Sequence, residues 1–201
     1  MALSRLENFI KNVEGNILYV NPDDLDSTDD INNQGNSLTR PFKTIQRALL
    51  EAARFSYQIG INNDKFDKTT IMLYPGEHVI DNRPGYSIDT NGSIKDANNI
   101  TRALPEFTGI TIFDLNNITN ELYKYNSIDG GVIVPRGTSI VGMDLRKTKI
   151  RPRYVPDPVS SLVDHSAIFR VTGACYFWQF SIFDGKGSVY KDNQPSTFSP
   201  D

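Results

Sequence analysis

The chain has 201 residues, of which 38% are hydrophobic and 22% charged, so it can bury the core of one domain, or of one domain with a tail. A net charge of −3, from 21 Lys and Arg against 24 Asp and Glu, excludes a general electrostatic attraction to nucleic acid or an anionic membrane. The single cysteine, Cys175, excludes an internal disulfide framework, and no segment approaches the roughly 20 apolar residues of a membrane-spanning helix.

The first predicted element is a short amphipathic helix in residues 1–16. Its apolar residues follow one another at steps of three, four and three, the a/d spacing of a coiled coil, until Gly15 ends the pattern. They are Leu3, Leu6, Ile10 and Val13. Two heptads are marginal as an isolated helix, so the stripe is expected to dock on its own domain, on symmetry mates or on another protein. The same stretch lacks the apolar run of a secretory signal, which favours synthesis in a reducing cytoplasm.

The second element is a full-length amphipathic helix, predicted over residues 40–58 and indicated by SLTRPFKTIQRALLEAARFSY at 37–57. Ser37 or Thr39 is expected to cap its first N–H groups, with Pro41 in the first turn. One face is apolar at spacings of three and four, which indicates that the helix lies on an apolar surface. That face comprises Phe42, Ile45, Leu49, Ala52 and Ala53.

From Thr69 onward the apolar residues come in short β-branched and aromatic runs, each followed by a turn signal. The recurrence of short strand, Gly or Pro corner and short strand is typical of a β-solenoid, in which each coil stacks on the next. The Asn-rich interval 81–127 predicts a long loop insertion, with a strand near 110–113 and a short helix near 118–125. The helix at 40–58 is then expected to cover the open end of the first coil.

These residues resemble a known superfamily. ILYVNPDDLDSTDDINNQGNSLTRPFKTIQRALLEAA is similar to the N-terminal motif of pectate-lyase-like parallel β-helices: a strand, an Asp/Asn/Gly loop and a capping helix. TTIMLYPGEHVIDNRPG and SIDGGVIVPRGTSIVGMDLRKTKIRPRYV are similar to the N-terminal region of large virion structural proteins of T4-like cyanophages, associated with the tail, baseplate or fibres.

The resemblance implies a mainly β fold, a right-handed single-stranded parallel β-helix with an N-terminal capping helix and a short N-terminal anchor helix. The implied domains are an anchor segment at 1–16 and a β-helix domain at 17–201, with the capping helix at 40–58 and the insertion at 81–127.

RKTKIRPR is the strongest charge feature of the chain. If this stretch is extended, alternation puts four basic side chains on one face and Thr148, Ile150 and Pro152 on the other. The basic set is Lys147, Lys149, Arg151 and Arg153, here called the basic strip. It fits a solvated strand face, an acidic partner surface or an anionic glycan, because guanidinium groups pair bidentately with carboxylates. Together with the N-terminal stripe, it is the predicted partner-binding set.

No residue is predicted to be catalytic, to bind a cofactor or to hold a metal. The lyases of the superfamily commonly use Asp-held calcium with Arg or Lys, and glycosidases need two facing carboxylates. Asp129, Asp144 and Asp184 are instead scattered and have the pattern of turn residues. The loop DDLDSTDD lacks the Gly and the distal Glu of an EF-hand, which favours a polar turn over a calcium site.

The remaining candidate ligands and nucleophiles are isolated. His78 and His165 lie far apart, with no neighbouring Cys or second His, and Cys175 is predicted to be a small core residue.

The run CYFWQFSIF carries aromatic residues on both faces of a strand. One face is expected to be core, and the other a subunit interface or a sugar-stacking surface, of which the interface is favoured. The polar tail that follows shows no capping helix. Either another protein covers the last coil, or the chain is the N-terminal part of a longer polypeptide.

The predicted function is that of a structural virion protein of a phage tail, baseplate or tail fibre, attached through its N-terminus and without enzymatic activity. The alternative is a carbohydrate-active tailspike-type enzyme, a lyase or glycosidase acting on host envelope polysaccharide. Expected partners are other tail or baseplate proteins and two further copies in a homotrimer, with a host surface glycan as a further option and without nucleic acid or membrane insertion. Synthesis in the host cytoplasm and incorporation into the virion tail follow from this prediction.

Overall fold

A computed structural model describes residues 15–56, 67–91, 93–95, 99–102, 121–153 and 167–183. The N-terminal stripe and the predicted strand near 110–113 lie outside these residues. The elements are β1 (Asn16–Val20), α1 (Ile45–Ser56), β2 (Thr69–Leu73), β3 (Gly76–Ile80), β4 (Ser87–Ile88), β5 (Ile94–Lys95), β6 (Thr101–Arg102), a 3₁₀ helix (Glu121–Tyr125), β7 (Val132–Val134), β8 (Thr138–Gly142), β9 (Thr148–Pro152), β10 (Phe169–Val171), β11 (Tyr176–Trp178) and β12 (Ser181–Ile182).

Within the described part of the chain, most strands belong to three parallel sheets. Sheet A has the order β1-β2-β8-β11, sheet B the order β3-β9-β12, and sheet C pairs β7 with β10. The chain visits A, B and C in the same order, first through β2, β3 and β7 and then through β8, β9 and β10. The predicted mainly β class is therefore confirmed, with parallel sheets and the helix α1.

The parallel strands stack in register, so that residues of the same orientation form rows across a sheet. Leu18, Ile71, Ile140 and Phe177 form one such row in sheet A. The first three of these side chains are buried and belong to one hydrophobic core, to which sheet B contributes Ile150. Because successive side chains of a strand point to opposite faces, every second residue of these strands enters the core.

The interval 81–127, predicted as a loop insertion, contains regular structure. β4, β5 and β6 form a small antiparallel sheet, and a turn at Asp89, whose carboxylate accepts the N–H groups of Asn91 and Ser93, connects β4 to β5. Glu121–Tyr125 is a 3₁₀ helix within the predicted helical stretch near 118–125. The 3₁₀ helix packs against β7, and its Leu122 side chain is buried.

The predicted start of the helix at residue 40 is wrong: α1 begins at Ile45. Phe42 forms a parallel bridge with Val20 of β1, and its N–H donates to the Tyr19 carbonyl at 2.8 Å, which keeps this part of the chain extended. Neither Ser37 nor Thr39 caps the helix. Thr44 does, because its hydroxyl accepts the N–H of Arg47 at 3.2 Å.

Gly35 shows why the preceding loop needs a glycine. Its φ is +62°, and a Cβ at this position would lie 2.1 Å from the ring of the buried Phe42. The loop therefore passes directly over the Phe42 ring, and a larger residue would displace either the ring or the loop.

α1 packs against β1, β2, β3 and β7. These include the edge strand of each parallel sheet at one end: β1 of sheet A, β3 of sheet B and β7 of sheet C. Ile45, Ala48, Leu49 and Ala52 are buried there, whereas Ala53 of the predicted stripe is half-buried. The helix thus covers one end of all three sheets.

The polar side of α1 is also buried, which its amphipathic pattern did not predict. Arg47 donates to Glu51 at 3.1 Å and to the carbonyl of Asn33 at 3.1 Å, and its guanidinium lies 4.6 Å from the centre of the Phe42 ring. The loop between β1 and α1 covers this side and is fixed to it by Arg47. Removing either Arg47 or Glu51 would leave the other charge buried without its partner, which is strongly destabilising. The ion pair therefore stabilises the packing of this loop on α1.

Candidate functional site

The basic strip lies on β9, with the alternation that its sequence predicts. Lys149 is exposed and Arg151 half-buried on one face, while Ile150 is buried on the other. Lys147 and Arg153 flank the strand and are exposed and half-buried, respectively. Lys149 and Arg151 thus share one face of sheet B, and Lys147 and Arg153 stand at the two ends of β9.

Acidic neighbours partly neutralise the basic strip. Arg151 donates from Nε to Glu77 of β3 at 2.6 Å. Arg153 lies 3.9 Å from the carboxylate of Asp81, which also accepts from Arg83 Nε at 2.8 Å. Because these carboxylates come from β3 and the residues that follow it, the strip is less basic than its sequence indicates.

A groove of about 250 Å³ opens beside β3 and is called the β3 groove. Its walls are Pro22, residues 43–46 at the junction with α1, and Glu77, His78, Val79, Asp81, Arg151 and Arg153. β3 is the edge strand of sheet B, so the groove, which reaches from Arg151 of β9 to the residues before α1, borders the edge at which a further strand could add. It brings two members of the basic strip, Arg151 and Arg153, next to Lys43.

Asp29 binds the backbone of Lys43 and Thr44, the two groove residues that precede α1. Its Oδ1 accepts the N–H of Lys43 at 2.8 Å and that of Thr44 at 3.0 Å, and its Oδ2 accepts the Thr44 hydroxyl at 2.6 Å. Burial raises the pKa of this carboxyl from its ordinary 3.8 to about 6, despite these hydrogen bonds and the nearby Arg47. The structure therefore holds a titratable group under the helix terminus.

Stability is expected to depend on the protonation of Asp29. Since its folded-state pKa lies above the unfolded value, Asp29 favours folding most below about pH 4, and this contribution is lost as the pH rises through about 6. The pKa difference between 3.8 and about 6 corresponds to about 3 kcal/mol in the free energy of unfolding. Asp29→Asn keeps an acceptor for both N–H groups but does not titrate, so urea unfolding at about pH 4 and pH 7.5 should show a smaller difference than in the parent chain.

Asp29→Ala is the matched control for this experiment. It removes the acceptor as well as the charge, and should lower stability at both pH values by about 1–2 kcal/mol. An Asp29→Asn chain whose stability changes with pH as much as that of the parent chain would assign the pH dependence to other carboxyls.

Side-chain amides satisfy the backbone where the chain leaves β3. Gln46 Oε1 accepts the Asp81 N–H at 3.1 Å, and Gln46 Nε2 donates to the Asp81 carbonyl at 2.9 Å. Asn126 Nδ2 donates to the carbonyls of Asp81 and Arg83 at 2.7 and 2.8 Å. These buried contacts join α1, the 3₁₀ helix and β3, and no sequence motif indicated them.

His78 is buried beside the groove. Its Nε2 donates to the Tyr74 carbonyl at 2.8 Å, and its buried Nδ1 has no hydrogen-bond partner among the residues that the structure describes. Burial lowers the pKa of His78, so the ring is neutral near pH 7 and Nδ1 is an acceptor. Cys175 is half-buried and packs against the hydrophobic core, close to its predicted role. His165 lies outside the described residues.

The acidic turn residues have local roles where the structure describes them. Asp144 accepts the N–H groups of Arg146 and Lys147, which hold its pKa below its ordinary value. Asp24 accepts the N–H of Asp26 at 2.8 Å, as expected for a polar turn. In the described part of the chain, no three His, Cys, Asp or Glu residues group into a metal site. Asp184 lies outside it.

The aromatic run is exposed at the end of sheet A. Tyr176 and Trp178 lie side by side, with ring centres 6.2 Å apart and planes at 17°. Phe177 points the other way, into the row of core residues. Gln179, with φ +60°, then turns the chain, so that Phe180 packs on the core and not beside Trp178, where an uninterrupted strand would place it.

Across the described ranges, no helix has the length and apolar character to span a bilayer. No protein-family model, curated protein or solved structure matches this chain.

Proposed function

We propose that the protein is a structural component of a phage tail, baseplate or tail fibre, without enzymatic activity of its own. The proposed framework is a right-handed, single-stranded parallel β-helix whose N-terminal segment, residues 1–16, attaches it to a neighbouring virion protein. The resemblance inferred from residues 69–85 and 127–155 motivates this assignment, and the repeated parallel sheets support a β-helix framework.

Three features support the β-helix. The chain passes from sheet A to B to C in repeated order, corresponding strands stack in parallel register, and α1 covers one end of all three sheets. Connections between parallel strands of one sheet are nearly always right-handed, which favours a right-handed coil.

The observation that carries the assembly role is the end opposite α1, where no described residue covers the last strands. Phe177, Ile182 and Val171 are 37%, 52% and 52% exposed, although they continue the rows of Ile140, Ile150 and Val134, which are fully buried. An end with exposed core side chains and open strand edges is expected to be covered in a larger assembly.

Deleting residues 1–14 tests the attachment role. The apolar stripe is separated from β1 by Gly15, so Δ1–14 should keep the melting temperature of the full chain within a few degrees. The full chain is expected to be a homotrimer by light scattering and to enter assembled tails, whereas Δ1–14 should lose incorporation, because an anchor carries most of the binding energy.

Two results would contradict these proposals. A Δ1–14 chain that melts far lower but still enters tails would place the segment in the fold. Release of new reducing or unsaturated ends from host envelope polysaccharide by the full chain would favour the tailspike-type enzyme.

A further inference from the structure

The open edge of β3 presents to the β3 groove backbone groups to which no described residue hydrogen-bonds. The Gly76 N–H donates to Lys147, and the Ile80 carbonyl accepts from Arg153, so these residues of β3 are directed towards β9. In a parallel pair, alternate residues direct their N–H and C=O groups to opposite sides. Glu77 and Val79 therefore turn these groups away from β9, towards the groove.

The next position along this edge already binds a peptide-like group. The primary amide of Gln46 donates to the Asp81 carbonyl and accepts the Asp81 N–H, as the backbone of a paired strand would. The edge of β3 can thus pair with the N–H and carbonyl groups of an added strand, as it pairs with the Gln46 amide.

The groove has defined ends along β3. Pro22 and Asp23 contact Gly76, where an added Cβ would lie 2.6 Å from Asp23 Oδ2, and Gln46 occupies the edge at Asp81. The open window is Glu77–Ile80, about 13 Å at roughly 3.3 Å per residue. It has room for a short extended segment and not for a long strand.

The lining favours an acidic occupant. Lys43, Arg151 and Arg153 line the groove, and its two carboxylates, Glu77 and Asp81, already have arginine partners. An incoming carboxylate would thus meet basic groups beside lining carboxylates that are already paired, with Asp23 standing at the Gly76 end of the groove. His78 also lines the groove, but its side chain lies on the buried face of β3, opposite to Glu77 and Val79.

We propose that the β3 groove binds a short, extended, acidic segment of another protein, which adds to sheet B as a strand next to β3. Pairing with Glu77 and Val79 supplies the main-chain contacts, and Lys43 and Arg151 receive an acidic side chain. The inference depends on the groove alone and is independent of a role in phage tails.

The test is a nuclear magnetic resonance titration of the ¹⁵N-labelled full chain with acetyl-Val-Asp-Val-Asp-Val-amide. Its two aspartates share one face of an extended chain. We expect saturable shifts of the amide signals of residues 76–80, with a Kd below about 1 mM. The matched peptide with lysine in place of both aspartates should bind at least about tenfold more weakly.

Two protein variants separate strand pairing from charge. Val79→Pro removes an N–H that sheet B does not use, and proline is tolerated on edge strands, so it should weaken binding at least about tenfold while Val79→Ala does not. Lys43→Glu should weaken binding of the acidic peptide without weakening binding of the lysine peptide. If Val79→Pro does not fold, the Lys43→Glu variant and the comparison of the two peptides still test the proposal.

Several outcomes would overturn the proposal. They are the absence of a saturable shift at about 3 mM peptide, shifts confined to other parts of the chain, equal binding of the two peptides, and full binding by a folded Val79→Pro chain. Shifts at residues 76–80 with polygalacturonate but not with the acidic peptide would identify the groove as a glycan site instead.

Discussion

Replacing Ile45 and Leu49 together by aspartate is expected to abolish the cooperative fold. Both side chains are almost fully buried in the core that α1 shares with the sheets. Losing each apolar side chain costs about 2–5 kcal/mol, and burying an unpaired carboxylate costs more. Since a domain has about 5–15 kcal/mol of stability, the double variant should aggregate or show no cooperative thermal transition by circular dichroism.

Arg54→Asp is the control for added charge on the same helix. The Arg54 side chain is 74% exposed, and its ion pair with Glu51 is worth at most about 1 kcal/mol. This variant should melt within a few degrees of the parent chain. A soluble Ile45→Asp/Leu49→Asp chain with an unchanged melting temperature would show that the sheets do not need α1 as a cover.

The buried face of α1 was predictable because it depends on local spacing, whereas the start of the helix was not. Phe42 fits the apolar stripe equally well as a helical residue, but its backbone pairs with β1. That pairing joins residues more than twenty positions apart, and no local propensity reports it. The same limit applies to Asp29, which lies among acidic turn residues in the sequence but binds the backbone of Lys43 and Thr44.

The candidate site shows the same division. Alternation correctly placed Lys149 and Arg151 on one face of β9, because side-chain direction in a strand is a local property. The neutralising partner of Arg151 is Glu77, 74 residues earlier, and it follows from the register between β3 and β9. The β3 groove likewise exists only because α1 meets the edge of sheet B, so no single stretch of sequence could indicate it.

Gly142→Ala is expected to detach β11 and β12 while the rest of the domain stays folded. Gly142 ends β8, and an added Cβ would lie 2.2 Å from the Gln179 carbonyl oxygen and 2.9 Å from its carbonyl carbon. Both neighbours are backbone atoms, held between β11 and β12 by the pairing of these strands with β8 and β9. Overpacking of this kind costs about 1–3 kcal/mol or more, and the last strands can separate without opening the core under α1.

Hydrogen exchange distinguishes local detachment from global unfolding in the Gly142→Ala chain. Amides of β11 and β12 should exchange at least about tenfold faster than in the parent chain, while those of β1 and β2 keep their protection. Trp178, the only tryptophan, should become more accessible to a collisional quencher. Met143→Ala is the control, because Met143 is the next residue and its side chain is exposed, so its protection pattern should match the parent. Equal loss of protection in β1 and β11 would mean that the sheets unfold as one unit, and no loss in either would mean that β8 and Gln179 can move apart.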